Sequence, residues 1–519
     1  MSAREAEPQM SLSRGFTLGE LELDYDDDGD GGTPGPALPL PAPPPPPPPL
    51  QRGFTLLDIE ACEEPPATAM PDSHCVSSLH DLLAWPEVFW MEIASSNSPM
   101  HFQLLHNLFQ KPFRLMTDYS GCGGPEMAMD RILSAALKLG FADAQTAGVL
   151  DTVVCYRARE INPSCRKVLI ASAAQHGRGP LHVFGDILEG LPRRARRELA
   201  DIGKRVERDR KAGQRSIARA ASRGKAKAKA VKKLNEQLAI TMRREVQHTL
   251  GEVRFAAGRK QKCFRCGRLC SVTGKQGVPT LVVAGVTCVD WSRIGLGKGC
   301  SGPSYIVFCA WALQILADMP ELVIVECVQQ FDLALLEVFK HKYTYTAIDF
   351  APLNLGFPSE RRRRYMILAL RESITQHIPG PMPLFANLFF KPSMLSCDTF
   401  CTASEDDMRD DVRRSRCQHK RARISCPTTK ATFTSQILSG HQKGLLRRWL
   451  DVVGHLDSGF VNVSQSPEFM GGEVCVKSWA PTLIRNSVLY SLKERRVPTV
   501  STCLCLFPLC FLGFQSFSH

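Results

Sequence analysis

The feature that most constrains this chain is an alternation that begins at Phe113. Short apolar runs of strand length recur, each followed by a stretch of helical character. FRLMTDY predicts a strand, and the glycine-rich SGCGGPE leads from it into the helical MAMDRILSAALKLG. DTVVCYRARE predicts a second strand with a helix from Pro163, and LHVFGDI a third. TLVVAGV, the helix IVFCAWALQILAD and the strand LVIVEC repeat the pattern, and YTYTAIDF and RRYMILAL follow as late strands. Strands alternating with helices predict an α/β fold with a mostly parallel sheet. In such sheets ligands bind at the carboxyl ends of the strands.

Two segments depart from the alternation. Residues 1–75 carry DYDDDGDGG and PPPPPPPL, which cannot bury a core, and are expected to form a disordered acidic and proline-rich tail. RGFTL occurs twice within it, at 14–18 and 52–56, a similarity that chance or weak docking accounts for. The second departure, 193–262, holds 23 basic and 7 acidic residues, a surplus of 16 in a chain whose net charge is +12. Any polyanion contact should therefore concentrate there, through sequence-independent phosphate contacts. The segment predicts a long solvated helix, with alanine spacers in KAKAKAVKK that favour it. A nuclear import signal is compatible with the same residues, so the nucleus is the expected location, with the cytoplasm as the alternative. The 20 cysteines are scattered and follow no secretory signal, which suggests a reducing compartment rather than a disulfide framework. No apolar run reaches the roughly 18 residues of a membrane helix, so no membrane contact is expected.

The strand ends carry the chemistry. After the first strand, Gly121, Gly123 and Gly124 let the backbone turn tightly and approach a ligand closely. The second strand ends at Glu160, where a carboxylate can hold a ribose through its two hydroxyls, and the third at Asp186, which can accept from an adenine amino group. Together these ends suggest a nucleoside-type cofactor. Cys288 lies beyond the fourth strand and Glu326 at the end of the fifth, neighbouring positions in a parallel sheet. A thiolate nucleophile beside a carboxyl group suits addition to an electron-poor ring.

In wording and order these segments resemble the cytosine-5 DNA methyltransferases. DYSGCGG resembles their cofactor loop, with Tyr119 in the Phe place, and GVTCVDWSRIG their Pro-Cys loop. VIVECV resembles their Glu-Asn-Val strand, LNLGFPSERRRRYMI their Gln-x-Arg-x-Arg element, and APTLIRN the segment after their target-recognition region. The resemblance covers roughly residues 113–486 outside the basic segment. It implies a Rossmann-like methyltransferase fold, an enzyme that uses S-adenosylmethionine, and DNA as partner, with RNA as the alternative because one branch of the family uses tRNA. It also implies that Cys288 attacks carbon 6 of a flipped-out cytosine and that Glu326 protonates or hydrogen-bonds ring nitrogen 3. Arg361 and Arg363 would hold the base oxygen and orient Glu326. Tyr119, Ser120, Gly121, Gly123, Gly124, Glu160, Ile161, Asp186 and Ile187 would bind the cofactor. A reading from another class is a nucleic-acid-binding relative that has lost activity.

The chain departs from the family at three site positions: Thr287 stands for Pro, Cys327 for Asn and Ser359 for Gln. The family's closing helix, which packs under the cofactor loop, is not recognisable after residue 497, so weakened cofactor binding and impaired activity are expected. The resulting division is a tail (1–75), a cofactor-binding half (113–192), the basic helical insert (193–262), a catalytic half (263–370), a target-recognition region (371–479), a return segment (480–496) and an atypical apolar tail (497–519). Within CFRCGRLC, the spacing of Cys263, Cys266 and Cys270 suits a metal, but no fourth ligand is evident and reduced cysteines in loops are the alternative.

Overall fold

The computed structural model describes residues 76–95, 113–140, 154–176, 179–220, 225–255, 259–273, 277–292, 297–373, 390–391, 395–401, 437–467, 480–481 and 488–498, with scattered positions between 404 and 434. The tail expected over 1–75 and the apolar stretch beyond 498 lie outside them, as does most of the expected target-recognition region. In chain order the elements are α1 (Leu79–Leu83), α2 (Trp85–Ser95), β1 (Arg114–Asp118), α3 (Gly124–Lys138), β2 (Val154–Arg159), α4 (Pro163–His176), β3 (His182–Phe184), α5 (Arg193–Ala220) and α6 (Lys225–Gly251). They continue with β4 (Lys260–Lys262), β5 (Leu269–Ser271), β6 (Thr280–Gly285), α7 (Pro303–Asp318), β7 (Leu322–Cys327), β8 (Tyr343–Phe350), β9 (Ser359–Glu360) and β10 (Arg363–Leu370). The last are α8 (Gly440–Val453), β11 (Phe460–Asn462), β12 (Ala480–Pro481) and β13 (Leu489–Ser491).

Every residue of β1 is buried, as the central strand of a sheet covered on both faces requires. The sheet has seven strands in the order β3-β2-β1-β6-β7-β10-β8. The pairings of β3, β2, β1, β6 and β7 are parallel, and β10 runs antiparallel to both of its neighbours. This is the α/β class with a mostly parallel sheet that the alternation predicts. The order reverses between β1 and β6, so their carboxyl ends open onto one crevice. Reversal of β10 has a second consequence, because it brings the start of that strand to the same end of the sheet.

The basic insert departs from the expected solvated helix. It forms two helices, α5 and α6, and each sends an apolar stripe into the main core. On α5 the buried positions are Ala195, Leu199, Ile202 and Val206, and on α6 they include Leu238, Met242, Val246 and Leu250. The three- and four-residue spacing puts each set on one helix face. Among the described residues three ion pairs tie the insert to the catalytic half: Glu207 with Lys298 at 3.0 Å, Arg243 with Asp332 at 3.0 Å, and Arg259 with Asp318. The buried Arg210 also donates to the Ser301 hydroxyl at 2.9 Å.

A helix that no sequence motif announces, α2, packs on α3. Its Trp90 is fully buried against Leu133, Ala135 and Ala136 and donates its indole N–H to the Ile132 carbonyl at 2.7 Å. A smaller core gathers Trp449 and Val453 of α8 with Val461, Tyr490 and Leu492. Within the expected return segment, Ala480 pairs with Ser359, whereas β13 pairs with β11. No helix among the described residues is long and apolar enough to cross a membrane.

Candidate functional site

The candidate cofactor loop is shaped by backbone that few side chains tolerate. Tyr119 and Gly121 both have φ of 56°, and Gly123, which precedes the first turn of α3, has φ of 91°. A Cβ on Gly123 would also meet Leu169 Cδ2 at 3.0 Å, so the turn favours glycine on two grounds. Gly124 opens the helix. Ser120 is buried and stitches the loop to β2, donating to the Arg159 carbonyl at 3.1 Å and accepting from its N–H at 3.0 Å.

The three acidic and glycine positions meet at neighbouring strand ends. The Gly121 N–H donates to Glu160 Oε2 at 2.8 Å, and the Asn162 N–H donates to Oε1 at 2.7 Å. Glu160 is thereby fixed across the loop. Asp186 accepts from the Leu188 N–H at 2.9 Å through Oδ1, and burial raises its pKa above the ordinary carboxylate value. Ile161 is 64% exposed beside Glu160, whereas the Ile187 side chain is buried in the main core. The Tyr119 ring packs on that core, with its hydroxyl 3.4 Å from the Val307 carbonyl.

Glu126 lies in the first turn of α3 and was not singled out by the sequence. Its carboxyl is buried and hydrogen-bonded to the Thr117 hydroxyl, and burial raises its pKa to about 7. A carboxyl whose folded pKa exceeds its unfolded value binds more protons folded, so its contribution is complete below about 4.5 and is lost as pH rises through about 7. That loss amounts to about 3 kcal/mol. Glu126→Gln should remove this slope, so the wild-type and variant stability curves converge at acid pH and separate above neutrality in favour of the variant. Parallel curves from pH 4 to 8 by chemical denaturation would refute the assignment.

Beyond β6, the chain turns sharply at the candidate nucleophile. The Cys288 carbonyl accepts from the N–H groups of Trp291 at 3.1 Å and Ser292 at 2.9 Å. The thiol is half-buried at this turn. Asp290 anchors the loop from below: the Ser304 N–H, at the start of α7, donates to its Oδ2 at 2.8 Å. The carboxylate lies so close to Gly302 that a Cβ there would stand 2.1 Å from Asp290 Cγ. The Trp291 ring packs on Phe331, with centroids 5.1 Å apart. These contacts hold the loop although Thr287 occupies the place of a stiffening proline. Cys327, in the family's Asn place, is buried with Sγ 3.9 Å from the Val286 carbonyl oxygen.

Glu326 pairs with Gly285 across β6 and with Tyr365 across β10. Antiparallel entry into β10 delivers the arginine run here, and strand alternation sorts it. Arg363 Nε donates to Glu326 Oε1 at 2.9 Å. Burial and the neighbouring Arg363 lower the Arg361 pKa, with Glu326, Tyr365 and the Cys288 thiol opposing them, so these groups share one electrostatic neighbourhood. Arg362 is exposed, and Arg364 forms two hydrogen bonds to Asp349, at 2.7 and 2.8 Å. Sequence reasoning missed Tyr365, whose ring stacks on Phe350 at 4.3 Å and whose pKa rises to about 12, chiefly through burial. Its spacing of two from Arg363 was the available signal.

The loop also borders the insert. A groove of about 830 Å³ is lined by Lys227, Lys232 and Arg243 of α6 together with Trp291, Lys298 and Asp332. The candidate metal cysteines stand on the β4–β5 hairpin, next to His182 of β3.

No protein-family model and no curated protein matches the chain. Among solved structures it is similar to the Schizosaccharomyces pombe Dnmt2 methyltransferase, at 15% identity over 51% of this chain and 51% of that one, with a TM-score of 0.23. It is similar also to the Entamoeba histolytica methyltransferase EhMeth, at 13% identity over 58% of this chain and 66% of that one, with a TM-score of 0.27. A third is a putative DNA modification methyltransferase encoded within an Escherichia coli prophage, at 9% identity over 56% and 55% of the two chains, with a TM-score of 0.27. The chain thus spans about half the length of the first of these.

Proposed function

We propose that this chain is an S-adenosylmethionine-dependent methyltransferase acting on carbon 5 of cytosine in DNA, with RNA as the alternative substrate. The observation that carries the reading is the convergence of the Cys288 loop, Glu326, Arg361 and Arg363 at the carboxyl end of the sheet, with Arg363 and Glu326 already paired at 2.9 Å. The strand ends beside it suit the cofactor. Glu160 is pre-set by two backbone donors, and Asp186 Oδ2 has no protein donor among the described residues. Tyr119, Ser120, Gly121, Gly123, Gly124, Glu160, Ile161, Asp186 and Ile187 would form the binding segment, and S-adenosylmethionine would supply the methyl group.

The chain's own residues do the rest. The Cys288 thiolate forms a bond to carbon 6, which requires the base to leave the stack. Negative charge then develops on the ring, where Glu326 donates to nitrogen 3 while Arg361 and Arg363 hold the exocyclic base oxygen and orient Glu326. Once carbon 5 is methylated it gives up its proton to water, the carbon 5–carbon 6 double bond re-forms, and cleavage of the sulfur–carbon bond returns the thiolate. Tritiated-methyl transfer to DNA and to tRNA, run side by side, tests the reading. Label on DNA cytosine is expected; label on tRNA alone moves the substrate to RNA. S-adenosylmethionine binding without transfer to either would leave a binding module.

The groove beside the nucleophile loop supports a phosphate-bearing substrate, because exposed lysines of α6 line it. Replacing Lys227 and Lys232 together by Gln should weaken nucleic-acid binding and flatten its salt dependence. On duplex DNA the log–log slope should become shallower by about 0.9 for each phosphate that the variant no longer neutralises. Both side chains are solvent-exposed, so the fold should be unaffected. An unchanged slope would mean that the groove takes no phosphate.

A further inference from the structure

We infer that His182, Cys263, Cys266 and Cys270 bind a structural zinc ion that clamps the β4–β5 hairpin to the edge of the main sheet. The sequence spacing offered three thiols and no fourth ligand. The fold supplies the fourth from β3, some eighty residues earlier in the chain: one ligand atom from each of the four residues lies within 4.8 Å of all the others. The Cys263 and Cys266 sulfurs stand 3.8 and 3.5 Å from His182 Nδ1. A tetrahedral zinc site, with Zn–S near 2.3 Å and Zn–N near 2.0–2.1 Å, requires sulfur–nitrogen edges of ~3.5 Å and sulfur–sulfur edges of ~3.8 Å. The two sulfur–nitrogen separations thus match those that such an ion sets, and all four ligand atoms lie within 4.8 Å of one another.

The surroundings suit thiolates held by a cation. The turn between the first two cysteines folds the backbone toward sulfur: the Cys266 N–H donates to Cys263 Sγ at 3.4 Å, and the Gly267 N–H donates to the Cys263 carbonyl at 2.9 Å. Gly267 takes φ of 69° to close that turn. The imidazole is oriented by Tyr156, which meets it edge-on with centroids 5.1 Å apart. Supporting contacts of this kind fix a metal-binding imidazole and stabilise ligand charge.

Energetics point the same way. The hairpin strands have three residues each, KQK and LCS, and a ribbon of that size is not stable by itself in water. The small core beneath it consists of Phe184, Cys263, Cys270 and Val272, so two of its four members are proposed ligands. A cation bound by three thiolates and an imidazole supplies the order that this core is too small to give. Four protein ligands fill the coordination shell, which makes the site structural rather than catalytic. The hairpin's Phe264 N–H donates to the Val183 carbonyl at 2.7 Å, so the clamp acts on the strand that leads to Asp186.

The test uses the full chain expressed with zinc and purified under reductant. Elemental analysis should give one zinc per chain. Cobalt substitution should give the visible bands of a tetrahedral ion and thiolate charge transfer in the near ultraviolet. Cys266→Ser, at an exposed position, should lose the metal and keep the main thermal transition, while Cys165→Ser, outside the cluster, should retain it. His182→Cys should restore binding with an altered cobalt spectrum. A metal-free wild-type protein, a Cys263–Cys266 disulfide, or metal retained by both Cys266→Ser and His182→Ala would overturn the inference. None of these readings depends on methyl transfer, so the zinc site and the proposed activity fail separately.

Discussion

Replacing Cys288 by Ser should abolish methyl transfer, by at least ~10³-fold, while leaving S-adenosylmethionine affinity within a few-fold of the wild type. The substitution exchanges sulfur for oxygen with little change in shape. A serine hydroxyl is far less acidic than a thiol, and the described residues of this loop include no histidine to activate it, so addition to carbon 6 loses its nucleophile. The separation of the two effects follows from topology. The candidate nucleophile loop hangs from β6 and is held by Asp290 at the start of α7. The candidate cofactor residues hang from β1, β2 and β3, on the other side of the order reversal. Single-turnover transfer and calorimetric titration, measured on the same preparation, give the two numbers. Turnover retained by Cys288→Ser would remove the thiol from the mechanism. Affinity lost together with turnover would mean that the loop is part of the cofactor wall.

The sheet was legible in the sequence because its strands are apolar runs of the right length, and their ends fell where the chemistry-bearing residues stand. The arginine run was legible only in part. Four successive arginines look like a surface charge cluster until the antiparallel register is known, and that register sends Arg363 to Glu326 and Arg364 to Asp349. The insert misled through composition. Its surplus of positive charge hides a seam of Leu199, Ile202 and Val206 that is buried in the folded chain. His182 could not be found by spacing at all, since the three cysteines are local in sequence and the histidine meets them only through the pairing of β2 with β3 and the packing of the hairpin on that edge. Glu126 and Asp290 carried no motif; their roles come from burial under the glycine loop and from one backbone N–H at the start of α7.

Trp90→Ala should destabilise the folded chain by about 3–5 kcal/mol and weaken cofactor binding, although Trp90 belongs to no segment that resembles the family. The resemblance to the family implies a closing helix under the glycine loop, and the chain beyond residue 498 lies outside the described residues. In the structure α2 covers α3 from the amino-terminal side. Trp90 is fully buried there, Phe89 meets it edge-on at 5.2 Å, and Leu133, Ala135 and Ala136 form the surface that receives it. Lys391 pairs with Glu92 at 2.5 Å, tying the far end of α2 to the chain beyond β10. Truncation to Ala would leave a cavity under α3 and remove the partner of the Ile132 carbonyl. The glycine loop opens that same helix, so its left-handed turns at Gly121 and Gly123 would lose their rigid footing. Thermal denaturation should register a drop of roughly 10 °C, and titration with S-adenosylmethionine should show weaker binding, whereas Trp90→Phe should keep most of both. A Trp90→Ala protein that melts with the wild type would show that α2 contributes nothing to this core. If it melts early yet binds the cofactor with unchanged affinity, the loop holds its shape without α3 being braced, and the expected coupling between cover and cofactor is absent.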